Sequence, residues 1–315
     1  MPDRLGPPRG EPLFERLAIV GLGLIGSSIA RAARHLNLAR TIVAVDQDEA
    51  VLGRVRALGL ADEVTGDLPA AVRGANHVVL CVPVGVCGAV AKAMAPALEP
   101  GCIVSDVGSV KGSVVAQVEP YLPSGVHFVP AHPVAGTEHS GPDAGFATLF
   151  LNRWCILTPP ENADEAAVET VRAFWSAMGS DVEVMTPQHH DLVLAITSHV
   201  PHLIAYNIVG TAADLETVTQ SEVIKFSAGG FRDFTRIAAS DPTMWRDIFL
   251  HNKDAVLEML GRLNEDIALL ARAIRWGEGD KLHELFTRTR AIRRGIISSG
   301  QETPEPDFGR RRPDQ

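Results

Sequence analysis

The chain is short of the residues that staple a small fold or anchor it elsewhere. It has four cysteines in 315 residues. Cys81, Cys87, Cys102 and Cys155 show no C-x-x-C spacing, and three of them lie in apolar runs that read as buried strands. That pattern excludes a disulfide framework and fits reduced structural thiols in a cytosol. Positive charge is also scarce. The net charge is −9, and the one basic run is the tail triplet Arg310, Arg311 and Arg312, so there is no electrostatic footprint for nucleic acid. The amino terminus, Met1 to Arg16, is rich in Pro, Gly and charge and lacks an apolar core of signal-peptide length. No later segment reads as apolar for long enough to span a membrane. These absences predict a soluble, cytoplasmic globular protein, and no internal repeat suggests otherwise.

What is present is alternation. From Leu17 onward, short β-rich runs are separated by helical segments: Leu17 to Val20, Thr41 to Val45, His77 to Val82, Cys102 to Asp106, His127 to Ala131 and Trp154 to Leu157. Alternation of this kind predicts a parallel sheet with crossover helices. A last strand, Asp181 to Met185, precedes Thr186-Pro187, after which the period becomes helical. The clearest stretch runs from Asp241 to Trp276. There Ser240 or Asp241 can cap, Pro242 suits the first turn, and an apolar stripe extends from Trp245 to Ile274. The reading is a flexible segment at 1–16, a nucleotide-binding domain at 17–185, an all-α substrate and dimerisation domain at 186–298, and a disordered tail at 299–315. The residues after Trp276 are too few for a further independently folded domain.

The nucleotide assignment rests on Gly21-Leu22-Gly23-Leu24-Ile25-Gly26, which begins where an apolar strand ends and opens a helix. Gly21 allows the tight turn, Gly23 lets a pyrophosphate approach the backbone, and Gly26 permits close helix-to-strand packing. Leu24 and Ile25 supply the first turn of the helix that faces the phosphates. Asp46 closes the second strand, where its carboxylate can accept both ribose hydroxyls and repel a 2'-phosphate, favouring NAD over NADP. Val82, ending the third long strand, belongs to the same sheet edge and completes the cofactor set. The fold class is therefore α/β: a Rossmann-like doubly wound, mostly parallel sheet followed by a helical domain.

Two further segments carry chemistry near that edge. Ser105-Asp106-Val107-Gly108-Ser109-Val110-Lys111 ends a strand, with Ser109 placed either to face a nicotinamide or to cap the helix that follows. Ala131-His132-Pro133-Val134-Ala135-Gly136-Thr137-Glu138 follows the next strand. His132 there is a candidate proton acceptor, or a surface histidine stiffened by Pro133. In the helical half, Thr197-Ser198-His199-Val200-Pro201-His202 follows Gln188-His189-His190-Asp191. Pro201 interrupts the helical face between His199 and His202 and no third ligand stands nearby, so no metal is expected. One of the two histidines is expected to hydrogen-bond an anionic substrate. Gly229-Gly230-Phe231-Arg232-Asp233-Phe234-Thr235-Arg236 offers Arg236 as a fork for a carboxylate oriented by Asp233, or an ordinary surface ion pair.

Taken in order, the fingerprint, the Asp106-to-Lys111 segment, His132-Pro133 with Gly136-Thr137-Glu138, Ser198-His199-Val200-Pro201-His202, and Phe231-to-Arg236 through Asp241-Pro242-Thr243-Met244-Trp245-Arg246-Asp247 resemble the prephenate/arogenate (cyclohexadienyl) dehydrogenases of tyrosine biosynthesis, the TyrA family. The resemblance covers roughly residues 17 to 298. It implies a homodimer with NAD as cofactor, and oxidative decarboxylation of prephenate to 4-hydroxyphenylpyruvate, of arogenate to tyrosine, or of both. It implies that His132 accepts the proton of the ring C4 hydroxyl, that Ser109 orients hydroxyl and imidazole, that Arg236 pairs with the ring carboxylate and that His202 lies near the substrate side chain. Glu138, Asp233, Arg232 and Trp245 complete the substrate shell.

Two other readings share the fingerprint. A β-hydroxyacid-type dehydrogenase would use a helical-half lysine, yet Lys225 and Lys253 sit outside the expected motif and the His132 segment goes unexplained. A non-catalytic NAD-binding sensor predicts loss of the proton acceptor and carboxylate anchor, yet Ser109, His132, His202 and Arg236 are all present.

Overall fold

A computed structural model describes residues 5–137, 139–219 and 229–298. These divide into two compact units, the first ending at Lys253 and the second beginning at Asp254.

The first unit is built on six parallel strands: β1 (Phe14–Val20), β2 (Ala39–Val45), β3 (Glu63–Thr65), β4 (His77–Leu80), β5 (Ile103–Asp106) and β6 (His127–Phe128). Their order is β3-β2-β1-β4-β5-β6, a doubly wound sheet whose order reverses between β1 and β4, the place where such sheets leave a crevice for ligands. The central strands are apolar throughout. Ala18, Ile19, Val78, Val79 and Val104 have no exposed surface, as a sheet covered on both faces requires. Helices α1 (Leu24–Leu36), α2 (Glu49–Ala57), α3 (Leu68–Val72), α4 (Cys87–Met94) and α5 (Lys111–Val118) make the crossovers. The segment 1–16, read from sequence as flexible, is tied down in its described part: Arg9 N donates to Leu36 O, Leu13 N donates to Leu38 O, Leu5 is buried, and Phe14 to Arg16 already belong to β1.

Three further expectations are corrected. The strand read as His127–Ala131 is two elements. After Phe128 the chain leaves the six-stranded sheet, and Ala131–Pro133 forms β7 in a separate three-stranded sheet with β8 (Trp154–Leu157) and β9 (Asp181–Val184), β7 running antiparallel to β8. Pro130, which has no N–H to give a ladder, stands at the changeover. Helix α6 (Glu165–Ala177) joins β8 to β9.

The second correction concerns the helical half, which opens with α7 (Pro187–Leu194), a π turn (Ala195–His199) and α8 (Val200–Thr219). Pro201 does not break this run. The wider π turn before it makes room for a ring that would otherwise crowd the carbonyl four residues back. The run 187–214 is, contrary to expectation, long and apolar enough to cross a bilayer by length and composition alone. In the fold it carries buried His190, Asp191 and His199, and Asp191 accepts hydrogen bonds from the backbone of α5.

Third, the helix read from Asp241 to Trp276 is two, α10 (Pro242–His251) and α11 (Lys253–Arg275); α9 (Gly229–Thr235) precedes them. Asp241 caps α10 through Met244 N, with Pro242 in its first turn. The break falls at Asn252, whose side chain is buried and donates to Asp191 O at 2.9 Å. The second unit holds all of α11 beyond Lys253 together with α12 (Gly279–Ser298). It exposes large apolar side chains, among them Leu257, Leu269, Ile274, Trp276 and Phe286. The tail read as 299–315 lies outside the described residues.

Candidate active site

The glycine turn is shaped as its sequence requires. Gly21 has φ +94°, and a Cβ there would stand 2.6 Å from Cys81 O and 3.1 Å from Val82 Cγ1. A Cβ on Gly26 would fall 2.0 Å from Gly21 O. Both positions therefore exclude any side chain. Gly23 differs, because nothing lies within 4 Å of its Cβ position. It is the N-cap of α1 and provides no side-chain cap, so the amides of the first turn and the positive end of the helix dipole are left for an anion. Leu24 and Ile25 are half-buried beside it. Asp46 is fixed at the end of β2 by accepting from Leu22 N at 2.9 Å on one oxygen and from Asp48 N at 3.0 Å on the other. Its remaining lone pairs suit ribose hydroxyls. The residues present fit a dinucleotide.

On the other side of β4, the loop after β5 is built around a buried charge pair. Lys111 and Asp106 are both fully buried and ion-paired. Lys111 Nζ also donates to Ala131 O at 2.7 Å, and Gly108 N donates to Asp106 Oδ2 at 2.8 Å. These bonds lash the turn carrying Ser109 to the residue before His132. Ser109 does not cap α5: the N-cap position is Val110, without a side-chain bond. The cap comes instead from α7. Asp191 Oδ1 accepts from Lys111 N at 2.7 Å and Oδ2 from Gly112 N at 2.8 Å.

His132 is buried on β7, with Nδ1 2.8 Å from Nε2 of His190. His190 Nδ1 lies 2.8 Å from Asp191 Oδ1. Burial, the neighbouring His190 and the Lys111 charge hold the His132 imidazole neutral well below its usual pH range. Neither His190 nor Asp191 was assigned a role from sequence. The adjacent pair was visible, but its pairing with His132, fifty-eight positions away, was not.

The remaining residues lie on the π turn, α8, α9, the 3-10 turn after it and α10. His202 stacks on Trp245 with ring centroids 3.7 Å apart and planes 22° from parallel. Its pKa is lowered by burial and by the nearby Arg236 charge, against a raising bond to Ser198 O. His199 is fully buried and shares a 3.0 Å hydrogen bond with Asn252 Nδ2; burial pushes its pKa down to about 4. It is the core histidine of the pair, while His202 is the one left half-buried. Arg236 is exposed at the start of a 3-10 turn, and Asp233 pairs with its neighbour Arg232 on the surface. α10 packs toward the turn after β4: Asp247 Oδ2 and His251 Nε2 lie 3.1 and 3.4 Å from the Cβ position of Gly85. Glu138 and Lys225 lie outside the described residues, and Lys253 merely begins α11.

The chain as a whole is similar to known proteins. Residues 29–184 match the nucleotide-binding domain of prephenate dehydrogenase and residues 186–288 its dimerization domain. The chain belongs to the prephenate dehydrogenase family. It is 45% identical over 281 residues to a cyclohexadienyl dehydrogenase of Zymomonas mobilis, covering 89% of this chain and 96% of that protein. It is 34% identical to the prephenate dehydrogenase of Bacillus subtilis, over 90% of this chain and 76% of that one. Among solved structures, prephenate dehydrogenase from Aquifex aeolicus, in complex with hydroxyphenyl propionate and NAD+, superposes with a TM-score of 0.84 at 33% identity, covering 90% of this chain and 98% of that one.

Proposed function

We propose that this protein is an NAD-dependent oxidoreductase that oxidatively decarboxylates prephenate, arogenate or both in tyrosine biosynthesis, with residues 17–185 holding the cofactor and 186–298 the substrate. The observation that carries the reading is a neutral, buried imidazole, His132, held on β7 and tied through Ala131 O and Lys111 to the loop after β5, in a chain that matches this family along nearly all its described length. NAD, when bound, supplies the hydride acceptor.

The chain's own residues do the rest. Gly23 lets the dinucleotide approach the backbone on a turn that Gly21 and Gly26 make possible, Leu24, Ile25 and Val82 flank it, and Asp46 holds the ribose. His132 takes the proton of the ring C4 hydroxyl as the C4–H bond gives up its electron pair, with Ser109 orienting the hydroxyl. The ring carboxylate then leaves as carbon dioxide, its bonding electrons entering the ring, and aromatisation drives the step forward. Arg236 grips that carboxylate before it departs. His202, stacked on Trp245, meets the side chain of the substrate, with Glu138, Asp233 and Arg232 forming the polar surround.

The reading includes a cytoplasmic homodimer. Its support is the match of 186–288 to a dimerization domain and the exposed apolar side chains of α11 and α12, which a monomer would leave in water. Offering prephenate and arogenate in parallel, with NAD and with NADP, tests the proposal. NADH formation with at least one substrate is the expected result, and no turnover with either by a folded protein that binds NAD would overturn it.

A further inference from the structure

A buried histidine can serve as a base through one ring nitrogen only if the other carries the proton, so whatever touches His132 Nδ1 decides what Nε2 can do. Among the described residues, Nδ1 is the ring nitrogen with a hydrogen-bond partner, and that partner is another imidazole, His190 Nε2, at 2.8 Å. The direction of this bond follows from the far end of the chain. Asp191 receives two backbone N–H groups from the first turn of α5, one on each oxygen, so both oxygens act as acceptors, as in a carboxylate. A carboxylate only accepts, so His190 Nδ1, 2.8 Å from Asp191 Oδ1, carries its ring's proton and donates. The neutral His190 ring then has a lone pair at Nε2. His132 must donate to it through Nδ1, leaving Nε2 as the lone pair.

We infer that His190 and Asp191 are positioning residues that fix His132 as the Nδ1-protonated tautomer, so that its Nε2 is a base before any substrate arrives. The inference rests on the proposed function for the proton that Nε2 receives, but the tautomer itself does not depend on it. When a hydroxyl O–H breaks and the Nε2–H bond forms, the Nδ1 proton stays shared with His190, and the carboxylate of Asp191 lies one ring beyond to balance the new charge. The other charged or titratable groups facing His132 oppose that charge: Lys111 at the start of α5 and His199 from the π turn. Asp106, paired with Lys111, offsets part of it. His190 and Asp191 are thus the acceptors through which the protonated ring is relieved.

Two substitutions separate this role from mere packing. H190F preserves a flat ring of similar size but offers no acceptor; H190Q loses the ring but keeps a carbonyl oxygen able to accept from His132 Nδ1. The tautomer of His132 is read by 15N NMR of histidine-labelled protein without substrate, and kcat and KM with prephenate and arogenate are measured alongside thermal melting. The expected results are an Nδ1-protonated His132 in the wild type and in H190Q, with the tautomer lost in H190F. The kcat of H190F should fall roughly 100-fold, with KM nearly unchanged and H190Q retaining most of the rate. An Nε2-protonated His132 in the wild type overturns the inference, as does an H190F enzyme that outperforms H190Q, the order that packing alone predicts. Wild-type protein that turns over neither substrate defeats the proposed function instead, and the NMR result still decides the tautomer.

Discussion

His132 Nδ1 lies 2.8 Å from His190 Nε2, with the two rings tilted at 69° and both buried. Burial, more than any neighbouring charge, keeps the candidate base uncharged where an exposed histidine would be half protonated. Replacing His132 with Asn should lower kcat by about 100-fold or more while KM changes little, because a proton acceptor contributes in the transition state rather than to binding. The acid limb of kcat/KM should lie below pH 6.5, since the neutral form persists below that value. Wild-type turnover in His132→Asn, or an acid limb at or above pH 6.5, would contradict the assignment.

Arg236 should behave in the opposite way. It sits near enough to His202 for its charge to lower the imidazole's pKa, at the rim where a carboxylate would meet it. Arg236→Gln should raise KM for prephenate by roughly 10-fold or more, the value of a charge-assisted hydrogen bond, with the smaller effect on kcat. Steady-state kinetics decides. An unchanged KM would show that the exposed guanidinium is only surface charge.

Cofactor choice should turn on Asp46. Its two oxygens are held by Leu22 N and Asp48 N, so the negative charge stays at the end of β2, where a 2'-phosphate would arrive. Asp46→Ser should weaken NAD binding and narrow the preference over NADP, measured by the ratio of kcat/KM for the two. A ratio that does not move would remove Asp46 from the cofactor site.

Acid should unfold this protein through its buried histidines. Burial lowers the His77 pKa to about 3 and that of His199 to about 4, whereas in the unfolded chain both take up protons near 6.5. The unfolded state therefore binds more protons as pH falls below 6.5. The stabilisation from neutral His77 is complete above that pH and is lost progressively down to about 3. Each such group contributes a slope of about 1.4 kcal/mol per pH unit within its window. His77 packs between Phe14 and Phe174, at 4.9 and 5.1 Å, so His77→Phe keeps the aromatic contacts while removing the titration. Urea denaturation at several pH values between 4 and 6.5 should show a shallower slope in the variant. An unchanged slope would mean that His77 is not among the groups responsible.

Local chemistry explains what was legible in the sequence. Gly21, Gly23 and Gly26 announce a turn whose reasons lie within a few residues, and Asp46 marks the end of the next strand. The parallel sheet followed from short β-rich runs, such as His77 to Val82, alternating with helical segments. Long-range partners were hidden. Nothing near His132 in sequence points to His190, and nothing near Lys111 says that Asp191 will cap its helix from α7. The division of α10 from α11 at Asn252 was masked because the apolar period continues across it; the break depends on a side-chain bond to Asp191 O. The departure of β7 from the main sheet had a signal in Pro130, which a reading by apolar runs alone passes over.

The central claim is oxidation at the ring coupled to loss of its carboxylate, and the most direct test follows both products together. Prephenate carrying 14C in the ring carboxylate, incubated with the protein and NAD, should yield NADH and labelled carbon dioxide in equal amounts, with both rates lost in His132→Asn. Carbon dioxide without NADH, or NADH with the label retained in the organic product, would contradict the account.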